Sequence, residues 1–272
     1  MHDQECTLPI GVFDSGIGGL TVLKALTEAL PRESFLYLGD TARLPYGSKS
    51  PKSVTRYALQ TTALLKERGI KLLVVACNTA TSVSLEALQE AYPGFPVIGV
   101  IRPGAEAACR QSANGRIGVI GTESTVNGGS YEREILRIRP GARVFSRACP
   151  LFVPLAEEGW CDGDIAELTA RRYLGSMAGE TGIDTLVLGC THFPVLAEAI
   201  RKVVGPEVAL VDSARTTAEF VQDMLERRDI CSTTTERRLT FLATDGAERF
   251  ARVGGVFMHH ALAPADVEIV DL

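Results

Sequence analysis

The sequence predicts an α/β fold of two similar domains, each a mainly parallel sheet covered by helices. Three observations carry this. Short runs rich in Val, Ile and Leu alternate with longer amphipathic segments, the runs are apolar throughout, and two stretches of the first half recur in the second. Continuous apolar strands, each followed by a helix, are the pattern of a parallel sheet buried on both faces.

In chain order, strands are expected at about 9–13, 35–38, 72–76, 97–101, 117–120, 142–145, 185–189 and 208–211. Helical patterns between them include 20–30, 51–68, 84–91, 164–180 and 195–203. The recurrences sharpen the picture. Residues 69–79 (GIKLLVVACNT) align without gaps on 182–192 (GIDTLVLGCTH), and 10–15 (IGVFDS) on 117–122 (IGVIGT). Two halves related by duplication follow, with residues 1–97 plus 208–272 forming the first domain and 98–207 the second. The C-terminal helix and tail are expected to pack back on the first.

Composition narrows the function classes. The 272 residues are 46% hydrophobic and 22% charged, enough for a large core, with a net charge of -5. An acidic balance argues against a nucleic-acid or anionic-membrane partner. The strongest apolar run, residues 72–77, is strand-sized rather than the roughly 20 residues a bilayer span needs. The N-terminus MHDQECTLPI has no basic segment followed by an apolar one, so no secretory signal is expected. Seven cysteines, at 6, 77, 109, 149, 161, 190 and 231, are odd in number and widely spaced. They read as reduced thiols of a cytoplasmic protein, without the spacing of a zinc site, so no metal is expected. Cys109, Cys149 and Cys231 are expected to be small core hydrophobes.

Ligands of open α/β sheets bind beyond the carboxyl ends of the strands. The unusual clusters fall there: residues 14–19 (DSGIGG), 39–47 (GDTARLPYG), 77–79 (CNT) and 190–192 (CTH). They imply one composite site in the cleft between the halves. The glycine cluster is not a dinucleotide fingerprint, because GxGxxG from Gly16 needs glycine where Thr21 stands, and no GxxxxGK[ST] occurs. It is either a tight strand-to-helix turn or a set of backbone amides able to hold a carboxylate.

Cys77 and Cys190 end equivalent strands of the two halves. If the halves face each other, the thiols approach one ligand from opposite sides, and a thiol is a capable proton carrier once its pKa is tuned. One group removing a proton while the other delivers one from the far side inverts a carbon centre. His192 is placed to tune Cys190 or take a proton, and Asp14 to do so for Cys77 or to cap the following helix. Glu157 and Glu158 read, on the residues alone, as a solvated helix start. Two other classes compete. A cysteine hydrolase using Cys190 with His192 leaves Cys77 unexplained, and a two-lobed binding protein needs no paired thiols. A pyridoxal phosphate racemase is disfavoured, since none of Lys24, Lys49, Lys52, Lys66, Lys71 and Lys202 follows a strand in a recognisable motif.

The blocks IGVFDSGIGGLTVL, YLGDTARLPYG, VVACNTAT, PVIGVIRPG, IGVIGT and LVLGCTHFPVL, with DSA at 212–214, resemble glutamate racemases of the aspartate/glutamate racemase family. The final fifty residues carry no matching block. The resemblance implies a cofactor-independent interconversion of L- and D-glutamate that supplies D-glutamate for peptidoglycan. It places the alternating acid and base on Cys77 and Cys190, assistance on Asp14 and His192, and a third auxiliary polar group on Glu157. Substrate contacts carry over to Asp14, Ser15, Pro45, Tyr46, Gly47, Asn78, Thr79, Thr191 and His192. It also implies two α/β domains with the site in their cleft, and a homodimer. Aspartate and hydantoin racemases share the paired-cysteine layout, and substrate length is what would separate them.

Overall fold

The computed structural model describes residues 6–234 and 236–272. The first half runs β1 (Ile10–Asp14), α1 (Leu20–Ala29), β2 (Phe35–Gly39), α2 (Pro51–Glu67), β3 (Leu72–Val75), α3 (Asn78–Ala91) and β4 (Val97–Gly99). The second half follows: α4 (Ile101–Gln111), β5 (Arg116–Gly121), α5 (Glu123–Asn127), α6 (Ser130–Ile138), β6 (Arg143–Ala148), α7 (Phe152–Glu157), α8 (Gly163–Glu180), β7 (Thr185–Gly189), α9 (Ala197–Val204) and β8 (Ala209–Asp212). The chain closes with α10 (Ser213–Arg228), β9 (Leu239–Ala243), α11 (Ala247–Met258) and β10 (Val267–Ile269).

Every strand pairing is parallel. One sheet has the order β10-β9-β2-β1-β3-β4 and the other β6-β5-β7-β8. The second order repeats the β2-β1-β3-β4 part of the first, so the internal recurrence in the sequence is a recurrence of topology. β1, β2, β3 and β7 are buried at every position, which is why they read as unbroken apolar runs. The edge strand β6 has no buried residue and carries Arg143, Ser146 and Arg147.

Four details differ from expectation. The strand expected over 97–101 stops at Gly99, and Ile101 already begins α4. The return to the first half was expected near 208, but β8 pairs with β7 in the second sheet, and first-sheet pairing resumes only at β9. The tail supplies two strands as well as a helix. Of the three cysteines expected in the core, Cys149 is buried, Cys109 is half-buried and Cys231 is exposed. Cys231 lies outside any helix or strand, between buried Ile230 and Ser232, with its own side chain outward.

Helix starts follow from local chemistry. Pro51 opens α2, and the Ser50 hydroxyl accepts from the Ser53 amide at 3.3 Å. Asp212 caps α10, accepting from the Ala214 amide at 2.8 Å. Beneath the first sheet, Lys71 is fully buried against Glu33 at 2.6 Å and also donates to the carbonyls of Cys6 and Ile230. Glu33 Oε1 accepts from the Ser232 amide at 2.7 Å, so this pair ties the loop after α10 to β3. Removing one partner strands the other charge. Lys71→Ala is therefore expected to lose about 3–5 kcal/mol in urea denaturation, and Lys71→Met with Glu33→Gln to recover most of it.

Candidate active site

The parallel register brings the chemistry-bearing turns together. Phe13 pairs with Val75 and Asp14 with Gly39, while Gly121 pairs with Gly189. The strand ends are thus level within each sheet, and the residues just beyond them meet at one place.

At the end of β1, Asp14 is buried and its Oδ2 accepts from the Gly16 amide at 2.9 Å. Its Oδ1 has no hydrogen-bond partner among the described residues. Burial raises its pKa, opposed by the positive charge of His192 and by backbone amides. Asp14 caps the turn, while the N-cap of α1 is Gly19. The glycines are required by close approach. A Cβ on Gly19 would lie 2.4 Å from Asp14 Cβ, and one on Gly18 would lie 2.4 Å from His192 Cε1 and 2.5 Å from Thr191 Oγ1. The glycine cluster is a turn that admits an acid from below and a histidine from across the cleft.

Cys77 is the N-cap of α3. Its Sγ accepts from the Ala80 amide at 3.4 Å and donates to Ser15 Oγ at 3.4 Å. Burial, then the charge of Asp14, push the thiol up to about 12, against the lowering effect of its hydrogen bonds to Ser15 and the Ala80 amide. On the other side, Cys190 Sγ lies 3.8 Å from His192 Nδ1. His192 Nε2 faces Glu157 Oε1 at 3.2 Å, and Glu157 Oε2 accepts from Arg249 at 2.6 Å. Burial alone would lower the His192 pKa, but Cys190 and Glu157 outweigh it and hold the imidazole up at about 10. Burial also opposes the charge of Glu157, and His192 and Arg249 pull its pKa below the usual value. The solvated helix start expected at Glu157 is thus corrected. It is the last residue of α7, with 13% of its side chain exposed and both oxygens engaged.

Ser15, Pro45, Tyr46, Gly47, Cys77, Asn78, Thr79, Cys190, Thr191 and His192 line one cavity of about 250 Å³. Asp14 and Glu157 are outside its lining and act through the residues they touch. Tyr46 is fixed by its hydroxyl, which donates to Asp40, and Asp40 is held in turn by Arg43 and Thr244. Thr79 reaches across to Thr122 at 3.0 Å and Thr125 at 3.3 Å. Sequence reasoning missed Ser48, Thr122, Glu123, Pro150, Val153 and Pro154 in the lining, and Arg249 behind it. Thr122 had a signal, since it occupies the position of Ser15 in the second copy of the repeat. Arg249 had none, being brought in by the returning chain.

The duplicated parallel halves, closing on a cavity with one cysteine from each, have the two-domain racemase fold. The Asp/Glu/Hydantoin racemase family model matches residues 10–221. A glutamate racemase of Geobacter metallireducens is 53% identical over 250 residues, 92% of each chain. One of Chlorobaculum tepidum is 44% identical over 272 residues, 100% of this chain and 99% of its own. The solved glutamate racemase of Francisella tularensis, in complex with D-glutamate, superposes with a TM-score of 0.91 at 37% identity, covering 98% of each chain. The chain belongs to the Asp/Glu/Hydantoin racemase family, among its glutamate racemases, and is an isomerase. The relatives align through the final fifty residues, where no block was legible.

Two outcomes are expected. Gly18→Ala drives a methyl into the imidazole and lowers kcat/KM by about 100-fold, the cost of misplacing a reacting group by an ångström, measured with the folded variant verified by its denaturation midpoint. Glu157→Gln removes one of the two groups that hold His192 charged. The imidazolium contributes stability that is complete below pH 6.5 and fades as the pH rises towards about 10. In the variant the contribution is expected to be smaller below pH 6.5 and to be used up at a lower pH than in the wild type, read from the denaturation midpoint across the alkaline range.

Proposed function

We propose that this protein interconverts L- and D-glutamate by acid/base catalysis between Cys77 and Cys190, with no cofactor. The carrying observation is that the two thiols end equivalent strands of the duplicated halves and line one cavity. Glutamate as substrate is supported by the relatives' names and by the D-glutamate complex of the Francisella tularensis protein.

One cysteine thiolate takes the α-proton as the Cα–H bond breaks, and the electron pair moves into the α-carboxylate. The opposite thiol then delivers its proton to the other face of Cα and is left as the thiolate. For the other enantiomer the roles exchange. The substrate carboxylate resists the extra charge, so the site needs donors that stabilise it without water. Ser15, Asn78, Thr79 and Thr122 offer neutral hydroxyl and amide groups around the cavity. Charged His192, 3.8 Å from Cys190, is placed to stabilise the negative charge that forms on that sulfur when it gives up its proton during turnover, while burial and Asp14 hold Cys77 as the thiol. Among the described residues lining the cavity there is no lysine, the residue a Schiff-base racemase would need.

On this reading the protein acts in the cytoplasm of a peptidoglycan-building cell as a source of D-glutamate, as a homodimer on a small-molecule substrate, without nucleic-acid or membrane partners. Among the described residues no helix is long and apolar enough to cross a membrane.

The test is circular dichroism of L-glutamate incubated with the purified protein, beside L-aspartate. The glutamate signal is expected to decay to zero, and Cys77→Ser and Cys190→Ser are each expected to lose at least about 100-fold in rate, the scale of one acid/base group. Native-rate racemisation by either variant would overturn the two-thiol account, and decay of aspartate alone would move the substrate.

A further inference from the structure

Asn78, next to Cys77, lines the cavity with only 3% of its surface exposed, and its Nδ2 has no hydrogen-bond partner among the described residues. Its Oδ1 accepts from the Tyr131 hydroxyl at 2.8 Å. An Asn amide carries an acceptor and a donor on opposite sides, so occupying one fixes where the other points. Tyr131 comes from α6 in the second half, and its own position is tightly set. A Cβ on Gly104 would come within 3.2 Å of Tyr131 Cε1, and one on Gly189 within 3.0 Å of Tyr131 Cε2. The ring is therefore wedged against the backbone just before Cys190, while its hydroxyl reaches the residue just after Cys77.

We propose that Tyr131 is a positioning residue that sets the Asn78 amide, so that Nδ2 is presented to a substrate carboxylate, and that couples this donor to the turn carrying Cys190. The inference rests on the glutamate reading for the identity of the ligand, but not for the hydrogen bond. An unpaired amide NH2 in a buried site is unfavourable until an acceptor reaches it, and an anionic oxygen is the strongest acceptor a neutral donor meets. Were the amide reversed, Oδ1 would face the carboxylate and repel it. By donating to Oδ1, Tyr131 favours the state with Nδ2 towards the ligand, from the far side and without touching substrate.

The experiment is a double-mutant cycle of Tyr131→Phe and Asn78→Ala, with both kinetic constants measured in both directions. Tyr131→Phe keeps the wedged ring and removes only the donor. It is expected to raise KM for both enantiomers about tenfold, the worth of one hydrogen bond to a charged group, with kcat changed less. In the Asn78→Ala background the same change is expected to shift KM by less than about twofold, because the effect travels through Asn78. An unchanged KM in Tyr131→Phe, or an equal rise in both backgrounds, overturns the proposal. A second readout needs no substrate. The Asn78 Nδ2 proton pair, assigned in a nitrogen–proton NMR spectrum by its loss in Asn78→Ala, is expected to broaden in Tyr131→Phe as the amide begins to rotate. A wild type that neither binds nor turns over glutamate refutes the substrate reading, and the Nδ2 signal then decides the positioning role. Identical signals in wild type and Tyr131→Phe refute it.

Discussion

The seating of the Thr191–His192 turn on the glycine loop after β1 is the contact that joins the two halves into one site. Thr21 Oγ1 donates to the Thr191 carbonyl at 2.9 Å, and Gly18 leaves room for the imidazole, which meets Phe257 edge-on at 5.3 Å between ring centres. Without that room, His192 could not lie between Cys190 and Glu157. The motif DSGIGG is thus a steric requirement of the other half's chemistry, written into the first half's sequence. Gly19 makes the matching allowance for Asp14.

This seating also governs the electrostatics. A histidine taken out of water tends to lose its proton, and a buried thiol tends to keep its own. Here Glu157, anchored by Arg249, reverses the first tendency at the Cys190 end, and Asp14 reinforces the second at Cys77. The duplication supplies two equivalent scaffolds, and the substitutions between the copies give the two thiols different neighbours. Where the second copy has Gly121, the first has Asp14, and where the first has Thr79, the second has His192. Two further links between the halves near the cavity are neutral: Thr79 meets Thr122 at 3.0 Å, and Ser82 meets Ser130 at 2.9 Å.

Much of this was legible because its causes are local. Buried parallel strands must be apolar at every position, so β1, β3, β5 and β7 announce themselves, and a repeated strand with a repeated cysteine marks two equivalent turns. Asp14, Cys77, Cys190 and His192 could be placed by that logic alone. Glu157 could not, since α7 sits in a stretch whose polar residues look solvated until Arg249 and His192 are brought to it. β9 and β10 were missed for a similar reason. β9 opens on two half-buried residues, and β10 is three residues long with Glu268 and Ile269 exposed, so what makes them strands is a parallel partner already in place rather than their own pattern. The return to the first sheet was placed one strand early because the sequence of β8, ALVD, reads like any other apolar strand, and only its pairing with β7 says which sheet owns it.

The position of β9 has a consequence for synthesis on the ribosome. β2 lies between β1 and β9 in the finished sheet, so its sequence FLYLG is an interior strand whose outer neighbour is encoded near the end of the chain. While the whole second half is being made, the emerging first half has one apolar strand with its outer ladder of amides and carbonyls open. Such an edge pairs readily with other extended chain. The interval between translation of β2 and of β9 is therefore when this protein is most exposed to aggregation, and a chaperone's benefit would concentrate there.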